Sequence, residues 1–373
     1  VHRAARSDRL VAALAEVLAT PLDDPLMTEV ISVHSRGIER WIAQELSARL
    51  GVGALGDDGV AADLAFPFPG RLIRGAVARG SHIDPDRDPW LPERLTWPLL
   101  ELVDGDPEAA MLGPLRAHIG GEPDADPGER IARRFGAVRH VADLFDRYGV
   151  HRPDMLVAWR DGHPTGPDGQ PLAGRQRWQA DLWHAVRERL DVPSFAERHQ
   201  TALPALADDP GLLDLPPRFA LFGLTSLPAA YLDVLSAIAV HRDVHLMLLH
   251  PSPVLWDRVS TVARPSQQRP ALRDEDPTAS LPRNPLLRSW GRDARELQLI
   301  APAPADPNRH HHHEAAEEPP RTLLERIQAD IRADRAPDGA SPLDPDDRSV
   351  QVHDCHGRLR QVEVVRDAIL HLL

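Results

Sequence analysis

This chain of 373 residues has one cysteine, two tyrosines and seven phenylalanines. The single thiol, Cys355, excludes an internal disulfide and fits a reducing compartment. There is no secretory leader pattern and no apolar run of the ~18 residues a membrane span needs, so the sequence points to a cytoplasmic chain with no membrane partner. Positive charge is also in deficit: 43 Lys and Arg stand against 56 Asp and Glu, a net charge of −13. Such a chain repels nucleic acid and anionic membranes unless its basic groups are gathered locally.

What is present is ample material for packing. With 42% hydrophobic residues, two or three domains are expected. The 37 prolines, with abundant Ala, Arg and Asp, read as the product of a GC-rich genome rather than as a function. Val1 lies inside an incipient strand, VHR, and the last residues, VEVVRDAILHLL, stop in a helix with no capping Gly or Asn. Both termini therefore read as cuts in a longer protein.

The pattern alternates strand and helix. Ser7 or Asp8 is placed to cap a helix through RLVAALAEVLAT, in which Leu10, Leu14, Val17 and Leu18 recur at helical spacing. VISVH then forms a short strand, and a helix from about Ile38 carries Ile38, Trp41, Ile42 and Leu46 on one face and Arg36 and Arg40 on another. Prolines 67 and 69 precede a helix starting near Gly70. From there to about residue 205 the pattern is chiefly helical, with acidic Gly/Pro-rich linkers. Residues 218–224 (RFALFGL) and 244–249 (VHLMLL) are near-continuous apolar strands flanking one helix from about Pro228, as in a parallel βαβ unit. Residues 301–320 carry too few apolar groups to pack and read as a mobile surface loop. The chain closes, in SVQVHDCHGRLRQVEVVRDAILHLL, as strand, turn and helix.

A strand–turn–helix order suits a phosphate loop, which needs small residues, a Lys for the β/γ oxygens and a hydroxyl for Mg²⁺. The two positions that qualify, RAARSDRL and HSRGIERW, have no Lys. ATP hydrolysis and a nucleotide cofactor are therefore not expected. Either helix N-terminus could still face a nucleic-acid phosphate, with Arg36 and Arg40 adding guanidinium donors; the plainer reading gives both arginines to surface salt bridges with Glu39 and its neighbours. His310–His313 cannot form a fixed tetrahedral metal site unaided, and Asp143 and Asp146 share a helical face that suits solvation or capping better than nuclease metals. No Gly-x-Ser-x-Gly elbow exists, and Cys355 lies too near His353 and His356 in sequence for a credible catalytic pair. Trp41, Trp97, Trp159, Trp178 and Trp183 fall in helical patterns, where core packing is the expectation for most.

A set of blocks carries a resemblance. SDRL at 7–10 with LDDP at 22–25, AFPFPGRLI at 65–73, ADLFDRYGVHRPDML at 142–156, WQADLW at 178–183, LFGLTSLPAAYLDVL at 221–235, NPLLRSWGRDARE at 284–296 and PLDPDDRSVQVHDCHGRLRQVEVVRD at 342–367 are, in this order, similar to the amino-terminal third of the RecC (gamma) subunit family of exodeoxyribonuclease V. The resemblance implies an α/β fold with a P-loop-NTPase-like parallel sheet, an inactivated superfamily 1 helicase domain 1A, and an inserted helical domain 1B. The implied division is residues 1–75 as the first part of domain 1A, 76–210 as the insertion and 211–373 as the return to 1A. It further implies a non-catalytic subunit that works with a RecB-like helicase-nuclease and a RecD-like helicase, splits double-stranded DNA ends, threads the 3′-ended single strand and scans it for a recombination signal. No cofactor or metal follows for this chain.

Family positions associated with signal scanning fall on His34, Arg36 and Arg40, where the enterobacterial pattern has glutamine, threonine and glutamine. They continue at Phe68, commonly leucine, at Arg74, where tryptophan is typical, and at Asp143, Leu144, Asp146 and Arg152, which match. The acidic group survives while the base-facing set differs, so any sequence recognised differs too. A latch is expected in which Asp143 or Asp146 pairs with Arg152. The rival expectations are a scaffold that assembles the complex without reading DNA, and a nuclease or ATPase in its own right.

Overall fold

The computed structural model describes residues 1–24, 26–53, 56, 59–106, 109–119, 127–262, 275–301, 310–314, 319–337, 339 and 344–372. Six strands form one sheet: β1 (His2–Ala4), β2 (Glu29–Ser32), β3 (Leu64–Ala65), β4 (Arg218–Leu224), β5 (Asp243–Leu249) and β6 (His311–His312). Their order is β3-β2-β4-β5-β1-β6, and every neighbouring pair is parallel. The α/β reading of the sequence holds, including the parallel β4–β5 unit.

The helices leading into and out of the sheet are α1 (Ser7–Leu18), α2 (Arg36–Ser47) and α3 (Pro69–Gly80). Six more follow before the chain returns to the sheet: α4 (Pro92–Gly105), α5 (Gly113–Ile119), α6 (Pro127–His151), α7 (Pro153–Arg160), α8 (Trp178–Leu190) and α9 (Phe195–Asp208). The remainder are α10 (Ala229–Ile238), α11 (Pro253–Val262), α12 (Pro285–Ser289), α13 (Arg292–Ile300), α14 (Leu323–Arg332) and α15 (Arg358–Leu370).

Alternation along β4 divides the core in two. Phe219 and Leu221 turn to one face, where they pack with Ile73 and Val77 of α3, Leu206 of α9 and Leu235 of α10. Ala220 and Phe222 turn to the other, against Leu10 and Leu14 of α1 and Ile42 and Leu46 of α2. A central strand buried on both sides must be apolar throughout, which is why RFALFGL shows no polar alternation. Helices α4 to α8 enclose a separate cluster around Leu95, Leu99, Phe145, Trp159 and Trp183. At ~1.5–3 kcal/mol for each large side chain removed from water, that cluster has a core of its own to hold it together.

Several local expectations are corrected. The N-cap of α1 is Arg6, extended at φ −136°, whose guanidinium holds Asp8 at 2.9 and 3.1 Å; neither Ser7 nor Asp8 caps. The segment 301–320 is not a loop throughout: 302–309 and 315–318 lie outside the described residues, but His311–His312 adds to β1 as an edge strand. His311 N donates to Val1 O and His313 N to Arg3 O, both at 2.9 Å. Imidazole contacts replace apolar ones there. The His2 ring stacks on His311 and His313, with Nδ1 3.1 Å from His313 Nε2 and Nε2 3.2 Å from His245 Nδ1. Burial, then the nearby terminal ammonium and the neighbouring imidazoles, lower the His2 pKa to about 3, so the His2 ring is neutral near pH 7.

The strand expected at 349–353 does not form; α15 does, with Leu359, Val362, Val365 and Ile369 exposed. A short apolar stretch becomes a strand only beside a partner edge, and no edge of the described sheet reaches it. Trp159 and Trp183 are core residues as expected, whereas Trp97 is 59% exposed beside Phe135. Among the described residues no helix is long and apolar enough to cross a membrane.

Candidate nucleic-acid interface

Parallel strands deliver all their following turns to one edge of a sheet, and β2 and β3 are neighbours. The β2–α2 turn (33–35) and the β3–α3 turn (66–68) therefore lie side by side at the carboxyl edge. They are stitched together: Ser32 Oγ donates to Pro67 O at 2.9 Å and Val33 N donates to the same oxygen at 3.2 Å.

On the first turn, Ser35 is extended at φ −155° and accepts from Ile38 N at 3.2 Å, so α2 opens at Arg36 rather than near Ile38. This cap is the reason the helix starts early. His34, Arg36 and Arg40 are exposed. Among the described residues neither arginine has an ion-pair partner, so the surface salt bridges with Glu39 and its neighbours do not form. On the second turn Phe68 is the N-cap of α3 and is 46% exposed.

Arg74, one turn into α3, points away from solvent. Its Nη1 donates to both carboxylate oxygens of Asp146 on α6, at 2.5 and 2.6 Å, and its Nε donates to Gly70 O at 3.2 Å. Burial opposes the guanidinium charge, but Tyr231 and Asp146 outweigh it and the Arg74 pKa is raised. Tyr231, on α10, has its phenol pushed up to about 12, by burial first and then by Asp146 against the counteracting Arg74. Space for this arrangement comes from Gly70: a Cβ there would lie 2.9 Å from Arg74 Nη2 and 3.4 Å from Tyr231 Oη.

The expected latch is thus corrected. Asp146 pairs with Arg74, not with Arg152, whose Nη1 donates instead to the His151 carbonyl at 3.1 Å. Asp143 and Leu144 are half-buried on α6, and Arg152 is exposed just beyond its end. Direct hydrogen bonds thus join the β2–α2 turn to Pro67 and Arg74 to Asp146, while among the described residues no ion pair ties Arg152 to either. Sequence reasoning missed Ser35, Gly70 and Tyr231. Ser35 was the most findable of these, as a Ser three residues before an apolar Ile38.

Chemically, the edge offers an imidazole and an exposed phenyl ring on the two braced turns and, at the start of α2, two guanidiniums with no ion-pair partner among the described residues. Guanidinium forks suit phosphate oxygens or the O6/N7 edge of guanine, and an aromatic face suits a base. The whole chain contains no lysine, so all 43 basic side chains are arginines and every guanidinium here carries that planar geometry.

The protein is thus an all-parallel α/β protein with a helical module inserted between β3 and β4. It belongs to the RecC family: the model described as the N-terminal domain of RecC matches residues 1–334. It is similar to the RecBCD enzyme subunit RecC of Mycobacterium tuberculosis (strain H37Rv), 39% identical over 375 residues covering 100% of this chain and 33% of that protein. The same subunit of Mycolicibacterium smegmatis is 38% identical over 374 residues, covering 100% and 31%. That of Escherichia coli K12 is 28% identical over 396 residues, covering 94% and 33%. The chain spans about a third of the length of these relatives.

Proposed function

We propose that this chain is a non-catalytic DNA-handling part of a RecBCD-type helicase-nuclease, acting at double-strand breaks with RecB-like and RecD-like partners. Duplex ends and the single strands derived from them are its substrates. In this reading the sheet is an inactivated helicase domain 1A, formed by residues 1–75 and 211–373, and the helices of 76–210 are its 1B-like insertion. The 3′-ended strand passes over the β2–α2 and β3–α3 turns, where His34, Arg36, Arg40 and Phe68 contact it.

The observation that carries this reading is the pair of exposed arginines in the first two turns of α2, just beyond a braced β2–α2 turn. Among the described residues neither Arg36 nor Arg40 has an ion-pair partner, although Glu39 lies between them, so both exposed guanidiniums are open to a phosphate or a base edge. The Ser32–Pro67 stitch and the Arg74–Asp146 pair fix the turns on which this surface is built. A reading surface needs such rigidity, because a group held in place before binding loses less entropy on binding. Asp143, Leu144 and Arg152 join this surface as further scanning positions on the helical module.

The test replaces Arg36 and Arg40 by Ala in the reconstituted three-subunit complex and measures signal-dependent pausing. Abolished or redirected pausing with normal assembly supports strand reading. Normal pausing with both arginines gone favours the alternative, a scaffold that assembles the complex without reading DNA.

A further inference from the structure

Only Trp290 and Gly291 join α12 to α13, and the indole of Trp290 is 84% exposed. We propose that this ring is a stacking platform for an unpaired base, with the arginines beside it serving the phosphates, so that the α12–α13 tip is a single-strand contact separate from the β2/β3 edge.

The tip is held in shape from below. Asn284 caps α12: its Oδ1 accepts from Leu286 N at 2.9 Å and Leu287 N at 3.4 Å, and its Nδ2 donates to Arg335 O at 2.9 Å. Asp334, buried just after α14, accepts from Arg283 N at 2.8 Å and Asn284 N at 2.9 Å and is paired with Arg258 of α11. Leu287 packs with Leu255 and Val259 of α11. At the other end of this short helix, Trp290 N donates to Leu286 O at 2.7 Å. A Cβ on Gly291 would lie 2.8 Å from Leu287 O, so only glycine lets the chain turn this closely behind the tryptophan. The helix is pinned at its base, while among the described residues the indole has no ring or hydrogen-bond partner.

Charge says what such a ring meets. Residues 277–292, PTASLPRNPLLRSWGR, hold three arginines and no carboxylate, in a chain of net charge −13. Arg283, Arg288 and Arg292 are exposed, and among the described residues none has an ion-pair partner. Arg288 donates through Nη2 to Pro282 O at 3.0 Å, which leaves its charge uncompensated. Asp293, the next residue, is itself engaged. A protein interface is built around a contiguous apolar centre, whereas the chain neighbours of this ring are Arg288, Ser289, Gly291 and Arg292. One aromatic face with guanidiniums beside it suits a base and its phosphates, whatever the base. The site shares no residue with the β2/β3 turns, and it rests on the reading above only for the strand being DNA.

Fluorescence anisotropy of a labelled ~12-nucleotide oligothymidylate tests this on the chain alone and in the three-subunit complex, against a strand of equal length that is abasic throughout. Trp290→Ala should weaken oligothymidylate binding about tenfold at unchanged melting temperature and leave the affinity for the abasic strand as it was. Trp290→Phe, which keeps a ring, should retain most of the binding; Trp290→Leu, apolar without a ring, should behave as Ala. Arg288→Ala with Arg292→Ala should reduce the salt slope on both strands by ~0.7 for each phosphate no longer neutralised. The Trp290 effect should persist when Arg36 and Arg40 are also replaced by Ala, so the two surfaces fail separately. Equal loss on both strands, or a Leu variant as good as the wild type, would overturn the proposal. Unchanged oligothymidylate binding by Trp290→Ala would overturn it too, and loss of the other subunits from that variant would assign the ring to a protein contact.

Discussion

Arg74 and Asp146 are 72 residues apart in sequence, and one guanidinium nitrogen of the first bonds both carboxylate oxygens of the second. The pair ties α3, which leaves the sheet, to α6 in the helical module. Both side chains are largely covered, at 29% and 18% exposure, so the bond is screened less than a surface salt bridge. Arg74→Ala or Asp146→Ala should each cost about 1–3 kcal/mol in urea unfolding. The double variant should cost clearly less than the sum, since the second substitution removes a charge already stranded by the first. Strict additivity would show that the two groups do not interact in solution.

Ser35→Ala removes the side-chain acceptor for Ile38 N and should destabilise by about 1 kcal/mol. Because the same residue sets where α2 begins, amide exchange at 36–38 should quicken while that in α10 stays unchanged. Uniform quickening across the sheet would contradict a local cap.

Acid should loosen β6 before it unfolds the sheet. The folded-state pKa of His2 is depressed to about 3, chiefly by burial, whereas the unfolded chain binds a proton near 6.5. The unfolded state therefore holds more protons between those values, and stability from this group is full above about pH 6.5 and is lost as pH falls towards 3. The slope for one group is at most ~1.4 kcal/mol per pH unit. Exchange protection of the His311 and His313 amides, bonded to Val1 O and Arg3 O, should fall over this window. Protection that stays flat from pH 7 to pH 4 would contradict a neutral His2 in the folded state.

With no lysine anywhere in the chain, the purified protein should not hydrolyse ATP above the no-protein control, with or without Mg²⁺ and DNA. Turnover that follows this chain through purification would overturn the inactive-motor reading.

The strands were the most legible part of the fold. RFALFGL and the stretch ending in LMLL are apolar without a break because helices cover both faces of β4 and β5, and burial of that kind writes itself into composition. Edge strands are not so written. His311–His312 is held by backbone bonds and imidazole stacking, so a polar sequence gave no sign of it. The Arg74–Asp146 pair was illegible for another reason: it depends on how two helices with separate cores lie side by side. The nearer Arg152 was the natural partner in sequence, yet α6 runs on to His151. Six or nine residues along a helix turn a side chain ~240° or ~180° away from Asp146 or Asp143. Arg36 and Arg40 were legible as residues, but their lack of partners required the surrounding surface.

The most direct test is the affinity of a labelled single strand for the assembled complex, measured at several salt concentrations with Arg36→Ala, Arg40→Ala and both. Neither substitution should change stability by more than ~0.5 kcal/mol, since neither side chain is packed or paired. If the strand crosses the β2–α2 turn, affinity should fall about five- to tenfold per arginine, and the salt slope should shrink by ~0.7 for each phosphate no longer neutralised. Unchanged affinity and slope in the double variant would contradict a strand-gripping surface at this edge.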